Sequence, residues 1–209
     1  MVIEDAQEEE LLAFADSDDM PNDIKTPETS ILKTLVNTQP LDGTAYVAPY
    51  VPASEPAIQQ SLLLVAIQSD DVLMDLGCGD GRILFQALDS STPPKHCIGI
   101  EMDPYLAEHI ERTLLSYEKA AHFTFIQGDM FAVDLAGLNV SVAILYLLPI
   151  GLGKLDPLLA SWLRAVKGSR VVTITYQIPG WEAVKSCAVE NPAQRLEQRL
   201  FYYDATSIP

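Results

Sequence analysis

The stretch DLGCGDGR, residues 75–82, alternates three glycines with other residues and carries two acids. Gly77, Gly79 and Gly81 permit a tight bend and close approach of a ligand to the backbone, as in turns that cradle phosphate. Asp75 and Asp80 have the wrong sign for phosphate. Two like charges about 4 Å apart oppose each other by about 4 kcal/mol at an effective dielectric of about 20. The spacing G-x-G-x-G is also a near miss to the dinucleotide pattern G-x-G-x-x-G. Such a turn favours a ligand that is cationic where the acids lie.

S-adenosylmethionine is a ligand of that kind, with an ammonium and a sulfonium. Within the turn, Cys78 reads as a small filler. Glu101, in GIEMDP, ends the next expected strand, HCIGIEM, with Met102 beside it. A carboxylate there can accept hydrogen bonds from ribose hydroxyls, although NAD carries a ribose as well. Asp129, in QGDM, can accept from an adenine amino group, and Met130 offers the ring a soft apolar surface. An acid at the end of an apolar strand needs a partner, which favours ligand roles for Asp75 and Glu101.

These residues need a frame that brings three strand ends together. VLMDL, HCIGIEM, FTFIQGD, SVAILYLL and SRVVTITYQI read as strands with near-continuous apolar runs, as in a parallel sheet covered on both faces. Helices are expected between them. Ser54 caps one running roughly from Glu55 to Gln68; RILFQAL forms another. Asp103 caps a third, from Pro104 to about Ala120, and a fourth starts after Asp156-Pro157. RLEQRLFYYDAT reads as a late strand pairing with AVKSCAVE. The pattern predicts an α/β fold, a doubly wound Rossmann-like sheet with ligands at the carboxyl ends of its strands.

Residues 1–28 carry ten acids and one lysine and read as a solvated, disordered tail; TSILKTLVNT then has helical spacing, and residues 29–209 form one domain. The net charge of −16 argues against nucleic acid and favours a basic protein partner. Three scattered cysteines suggest a reducing compartment. There is no run of about 18 apolar residues to span a membrane, and the acidic start is unlike a secretory or transit peptide. The expected location is the cytoplasm, with the nucleus as an alternative. His96, His109 and His122 have no metal-ligand spacing, so no metal is expected.

Taken together, DLGCGDGR, GIEMDP, QGDM and LYLLP resemble the class I S-adenosylmethionine-dependent methyltransferases. With PYVPAS upstream and RVVTITYQIPGW downstream, the stretch from Tyr46 to Trp181 is similar to the small protein-lysine methyltransferases of archaea and of the mitochondrial ATP synthase c-subunit type. The resemblance implies a seven-stranded sheet, mostly parallel with its last strand antiparallel, and a protein lysine as methyl acceptor. The acidic start departs from the apolar N-terminus of the mitochondrial member, which speaks against the c-subunit as substrate.

Positive charge passing from sulfur to nitrogen is stabilised by aromatic faces, by roughly 0.5 to 2 kcal/mol each. Tyr146 in LYLLP, at the end of the fourth strand, is the first candidate. Tyr50 in PYVP is the second. Trp181 in PGW is the third, as a wall of a lysine channel. Each also has a packing reading. Two alternatives stay open: a small-molecule methyltransferase on this fold, and a non-catalytic module that binds S-adenosylmethionine. An NAD-dependent oxidoreductase is a more distant one.

Overall fold

The computed structural model describes residues 50–191 and 196–209. The acidic stretch 1–28, the helical spacing after it and Tyr46 lie outside the described residues.

Seven strands form one sheet: β1 (Val72–Leu76), β2 (His96–Glu101), β3 (Phe123–Gln127), β4 (Val142–Leu145), β5 (Arg170–Ile174), β6 (Lys185–Asn191) and β7 (Leu196–Tyr203). Their order is β3-β2-β1-β4-β5-β7-β6. The first five pair in parallel, and β7 runs antiparallel to both β5 and β6. The last strand is thus antiparallel, and it pairs with the AVKSCAVE segment.

Helices cover both faces, as continuous apolar strands require. Alternate residues of β1 separate the two cores: Met74 and Leu76 join one, Leu73 the other. The first core packs α4 (Pro149–Ala165) through Leu152, Leu155, Leu159 and Leu163. The second packs α1 (Glu55–Leu64), α2 (Arg82–Asp89) and Ile110 of α3 (Pro104–Ser116). Among the described residues, no helix is long and apolar enough to cross a membrane.

Three helix boundaries differ from expectation. α4 begins at Pro149, with Pro157 inside it, rather than after Asp156-Pro157. An interior proline costs about 3 kcal/mol or more. Four buried leucines contribute about 1.5–3 kcal/mol each, so the stripe carries the helix through an exposed proline. α1 stops at Leu64, short of Gln68. Ala66 turns left-handed (φ 52°), and Ala66 and Ile67 N–H groups bond back to the Leu63 and Leu62 carbonyls. This is a Schellman stop without the usual glycine. α3 ends at Ser116, and a separate 3-10 turn, Ala120–His122, leads into β3. Ser54 and Asp103 cap α1 and α3 as expected.

Candidate active site

Strand order reverses between β1 and β4, and an open cavity of about 350 Å³ lies there, beyond the carboxyl ends of β1, β2 and β4. The glycine turn forms its floor. The N–H groups of Gly77 and Cys78 both donate to the Ile100 carbonyl of β2, at 2.8 and 2.9 Å. Gly77, Gly79 and Gly81 all have positive φ. Gly77 and Gly79 line the cavity. Gly81 instead starts α2 and faces Phe85 and Ile110.

Glu101 holds this turn in place. One carboxylate oxygen accepts the Gly79 N–H at 2.9 Å; the other accepts Met102 and Asp103 N–H at 2.8 and 2.9 Å. A carboxylate has about four acceptor sites, so roughly one remains for a ligand.

The two acids of the turn have different surroundings. Asp80 is held by Arg82, whose Nη2 lies 2.7 Å away and whose Nε also donates to it. Burial works against its charge, yet these bonds keep its carboxyl below the ordinary range. Arg82 also reaches the Ala53 carbonyl at 3.4 Å, tying the turn to the PYVPAS segment. Asp75 is 2 % exposed and accepts no hydrogen bond among the described residues. Burial, then the charges of Glu101 and Asp80, push its carboxyl well above the ordinary range. A buried acceptor facing a cavity, with like charges around it, favours a cation. Cys78 is buried and lines the cavity, and burial, Asp75 and Glu101 push its thiol up, which disfavours the thiolate that a nucleophile needs.

Asp129 caps a 3-10 turn, Met130–Ala132, by accepting the Phe131 N–H at 2.9 Å. Met102 lines the cavity, as do Asp129 and Met130. Tyr50 is 45 % exposed, with its ring against Gly79. Burial and the Asp80 charge raise its hydroxyl's pKa. Tyr146 lines the cavity at the end of β4.

Trp181 does not reach this site. It is 5 % exposed, stacks edge-on against Tyr203 and donates its indole N–H to Asp156 at 2.9 Å. Packing between α4 and β7 takes the place of the expected channel role. The apolar wall of Phe131, Leu147 and Leu148 went unread in the sequence, because nothing in those runs separates cavity wall from core. Among the described residues, no group of His, Cys, Asp and Glu is arranged to hold a metal ion.

Residues 75–185 match the family model of the ANTKMT methyltransferase domain. The chain belongs to the ANTKMT methyltransferase domain family. It is 32 % identical over 146 residues to a protein-lysine N-methyltransferase of Saccharolobus islandicus, covering 68 % of this chain and 86 % of that one. It is 31 % identical over 137 residues to the mouse adenine nucleotide translocase lysine N-methyltransferase, covering 65 % of this chain and 56 % of the mouse one. Among solved structures it is similar to an RNA methyltransferase from Salinibacter ruber in complex with S-adenosyl-L-homocysteine. That match has a TM-score of 0.63 and 29 % identity, covering 76 % of this chain and 94 % of the other. The chain is therefore an S-adenosylmethionine-dependent methyltransferase, and the buried Asp75, which accepts no hydrogen bond among the described residues, fits that cofactor's charge.

Proposed function

We propose that this methyltransferase acts on the side-chain amine of a protein lysine. The observation that carries the reading is the charge of the cavity. Among the described residues, Asp75, Asp80, Glu101, Asp103 and Asp129 line it against one base, Arg82, which is already paired with Asp80. Such a wall favours a cationic ligand and an ammonium-bearing acceptor and opposes a polyphosphate. Beyond residue 28 the chain still has 19 acids and 12 Lys plus Arg, so the sign does not depend on the acidic start. The relatives named for lysine methylation support the same substrate class.

In this reading Asp75 receives the cofactor's ammonium, and Glu101 offers its remaining lone pair to a ribose hydroxyl. Asp129 and Met130 meet the adenine. The cofactor supplies a methyl on a cationic sulfur, which leaves as a neutral thioether once the amine takes the methyl. Lysine must react as the neutral amine, although its free pKa is about 10.4. Apolar walls at Leu147 and Leu148 disfavour the ammonium by desolvation. Tyr146 and Tyr50 present aromatic faces to the positive charge that moves through the site. The catalytic unit is residues 29–209, with the acidic stretch outside it.

A second reading, RNA as acceptor, has one observation in its favour, the likeness to the Salinibacter ruber RNA methyltransferase. The test is incubation with methyl-labelled S-adenosylmethionine and a cell lysate, treated in parallel with ribonuclease or protease, followed by mass spectrometry of labelled peptides. Label on a lysine supports the proposal. Label removed by ribonuclease, or confined to small metabolites, overturns it.

A further inference from the structure

We propose that Gln198 is a positioning residue for Tyr146, holding its hydroxyl by donation from the side-chain amide. The inference rests on Tyr146 standing at the transfer site.

Gln198 sits in β7, 52 residues beyond Tyr146, and is 5 % exposed. Among the described residues, Ser54, Tyr146 and Thr175 meet at its amide. Oε1 accepts the Ser54 hydroxyl at 2.7 Å. Nε2 donates to the Tyr146 hydroxyl at 3.4 Å and to the Thr175 hydroxyl at 3.3 Å. Both are longer than the usual range of about 2.7–3.2 Å for an N–H···O bond.

The donor directions form a chain. Ser54 caps α1, where its oxygen accepts the Ala57 N–H at 3.4 Å. Its one proton goes to Gln198 Oε1, which leaves Nε2 facing the two hydroxyls. Tyr146 then accepts on one lone pair. Among the described residues no other group takes its proton or second lone pair, which remain for whatever enters the cavity, including an amine N–H that needs orienting. The same Ser54 ends the segment that carries Tyr50, so cap, cavity tyrosine and β7 are joined.

Thr175 gives an independent sign that this corner is held under constraint. Its φ is 73°, and the Tyr176 N–H bonds to the Ile174 carbonyl at 2.9 Å. That i→i+2 bond around a positive φ makes the rare, strained form of γ-turn. For a β-branched residue such a φ is an outlier. It persists where surroundings over-determine it, here through the Arg199 carbonyl on its N–H at 2.7 Å and Gln198 on its hydroxyl.

The test uses the full chain with 3-fluorotyrosine placed at position 146, read by fluorine NMR. Gln198→Met keeps volume and removes the donor; Ser54→Ala frees the amide to turn. Both should shift and broaden the resonance, with melting curves confirming that each variant folds. Label transfer to the protein the wild type marks should fall about tenfold in Gln198→Met, with S-adenosylhomocysteine affinity within about twofold. Gln198→Met should slow Tyr146→Phe no further, because both act on one hydroxyl. An unmoved resonance in Gln198→Met, or an additive loss in the double variant, overturns the proposal. A wild type that labels no protein overturns the lysine reading alone, since the resonance still decides the positioning.

Discussion

The ring of Tyr50 lies against Gly79 where a side chain at position 79 would have to sit. Gly79 also has φ 58° and gives its N–H to Glu101. Conformation, contact and hydrogen bond therefore select glycine together. In Gly79→Ala the strained backbone costs about 1–2 kcal/mol and the Tyr50 ring must move. S-adenosylhomocysteine affinity should fall at least about tenfold by calorimetry, with circular dichroism unchanged.

Asp75 gives the empty enzyme a characteristic pH dependence. Its carboxyl is raised above the ordinary value of 3.8 by burial, then by Glu101 and Asp80. Above that ordinary value the folded chain keeps a proton that the unfolded chain has lost. The contribution to stability is complete below the ordinary carboxylate pKa and disappears as pH rises through the raised one. The melting temperature of Asp75→Asn should therefore gain on the wild type as pH climbs from the ordinary carboxylate value through the raised one. Parallel melting curves would contradict this. A bound cation reverses the preference, so cofactor binding should release a proton and its apparent enthalpy should follow the buffer's ionisation enthalpy.

Tyr146 separates binding from turnover. It stands at the cavity end of β4, whereas the glycine turn follows β1 and Glu101 ends β2. Loss of one aromatic face is worth about 0.5–2 kcal/mol, or roughly two- to thirtyfold in rate. Tyr146→Ala should lose most single-turnover transfer and Tyr146→Phe less, with cofactor affinity kept in both. Full activity in Tyr146→Ala would remove the role.

At the opposite end of the strands, Asp71 is a stability residue. Its carboxylate takes Arg170 Nη2 at 2.5 Å, the Ser141 hydroxyl at 2.7 Å and the Gln68 N–H at 2.7 Å. These bonds tie the starts of β1, β4 and β5. Arg170 keeps 21 % side-chain exposure, so its charge stays partly solvated when the partner goes. Asp71→Ala should lose about 2–3 kcal/mol in urea unfolding, below the full cost of breaking a buried pair. Cofactor affinity should be unchanged.

Local signals carried a large part of the fold and the site. Apolar runs alternating with helical spacing mark a parallel sheet because both faces of each strand need cover. Acids at the ends of those runs stand out because a carboxylate is costly beside a core. Ser54 and Asp103 cap helices through bonds three residues long or shorter. Pro157 and Ala66 misled in opposite directions, since neither residue type tells what the leucine stripe or the αL stop does around it.

By itself the sequence determined the glycine turn, the order of strands and helices, and the acids Asp75, Glu101 and Asp129, since each follows from neighbours a few residues away. Only the tertiary structure decided that Arg82 neutralises Asp80 while Asp75 accepts no hydrogen bond among the described residues. It also decided that Glu101 already serves three backbone N–H groups, that Trp181 turns to Asp156, and that Gln198 reaches Tyr146. Those partners are set by where the sheet brings distant strands together. A side chain's type says how many hydrogen bonds it can make, and packing alone says with whom.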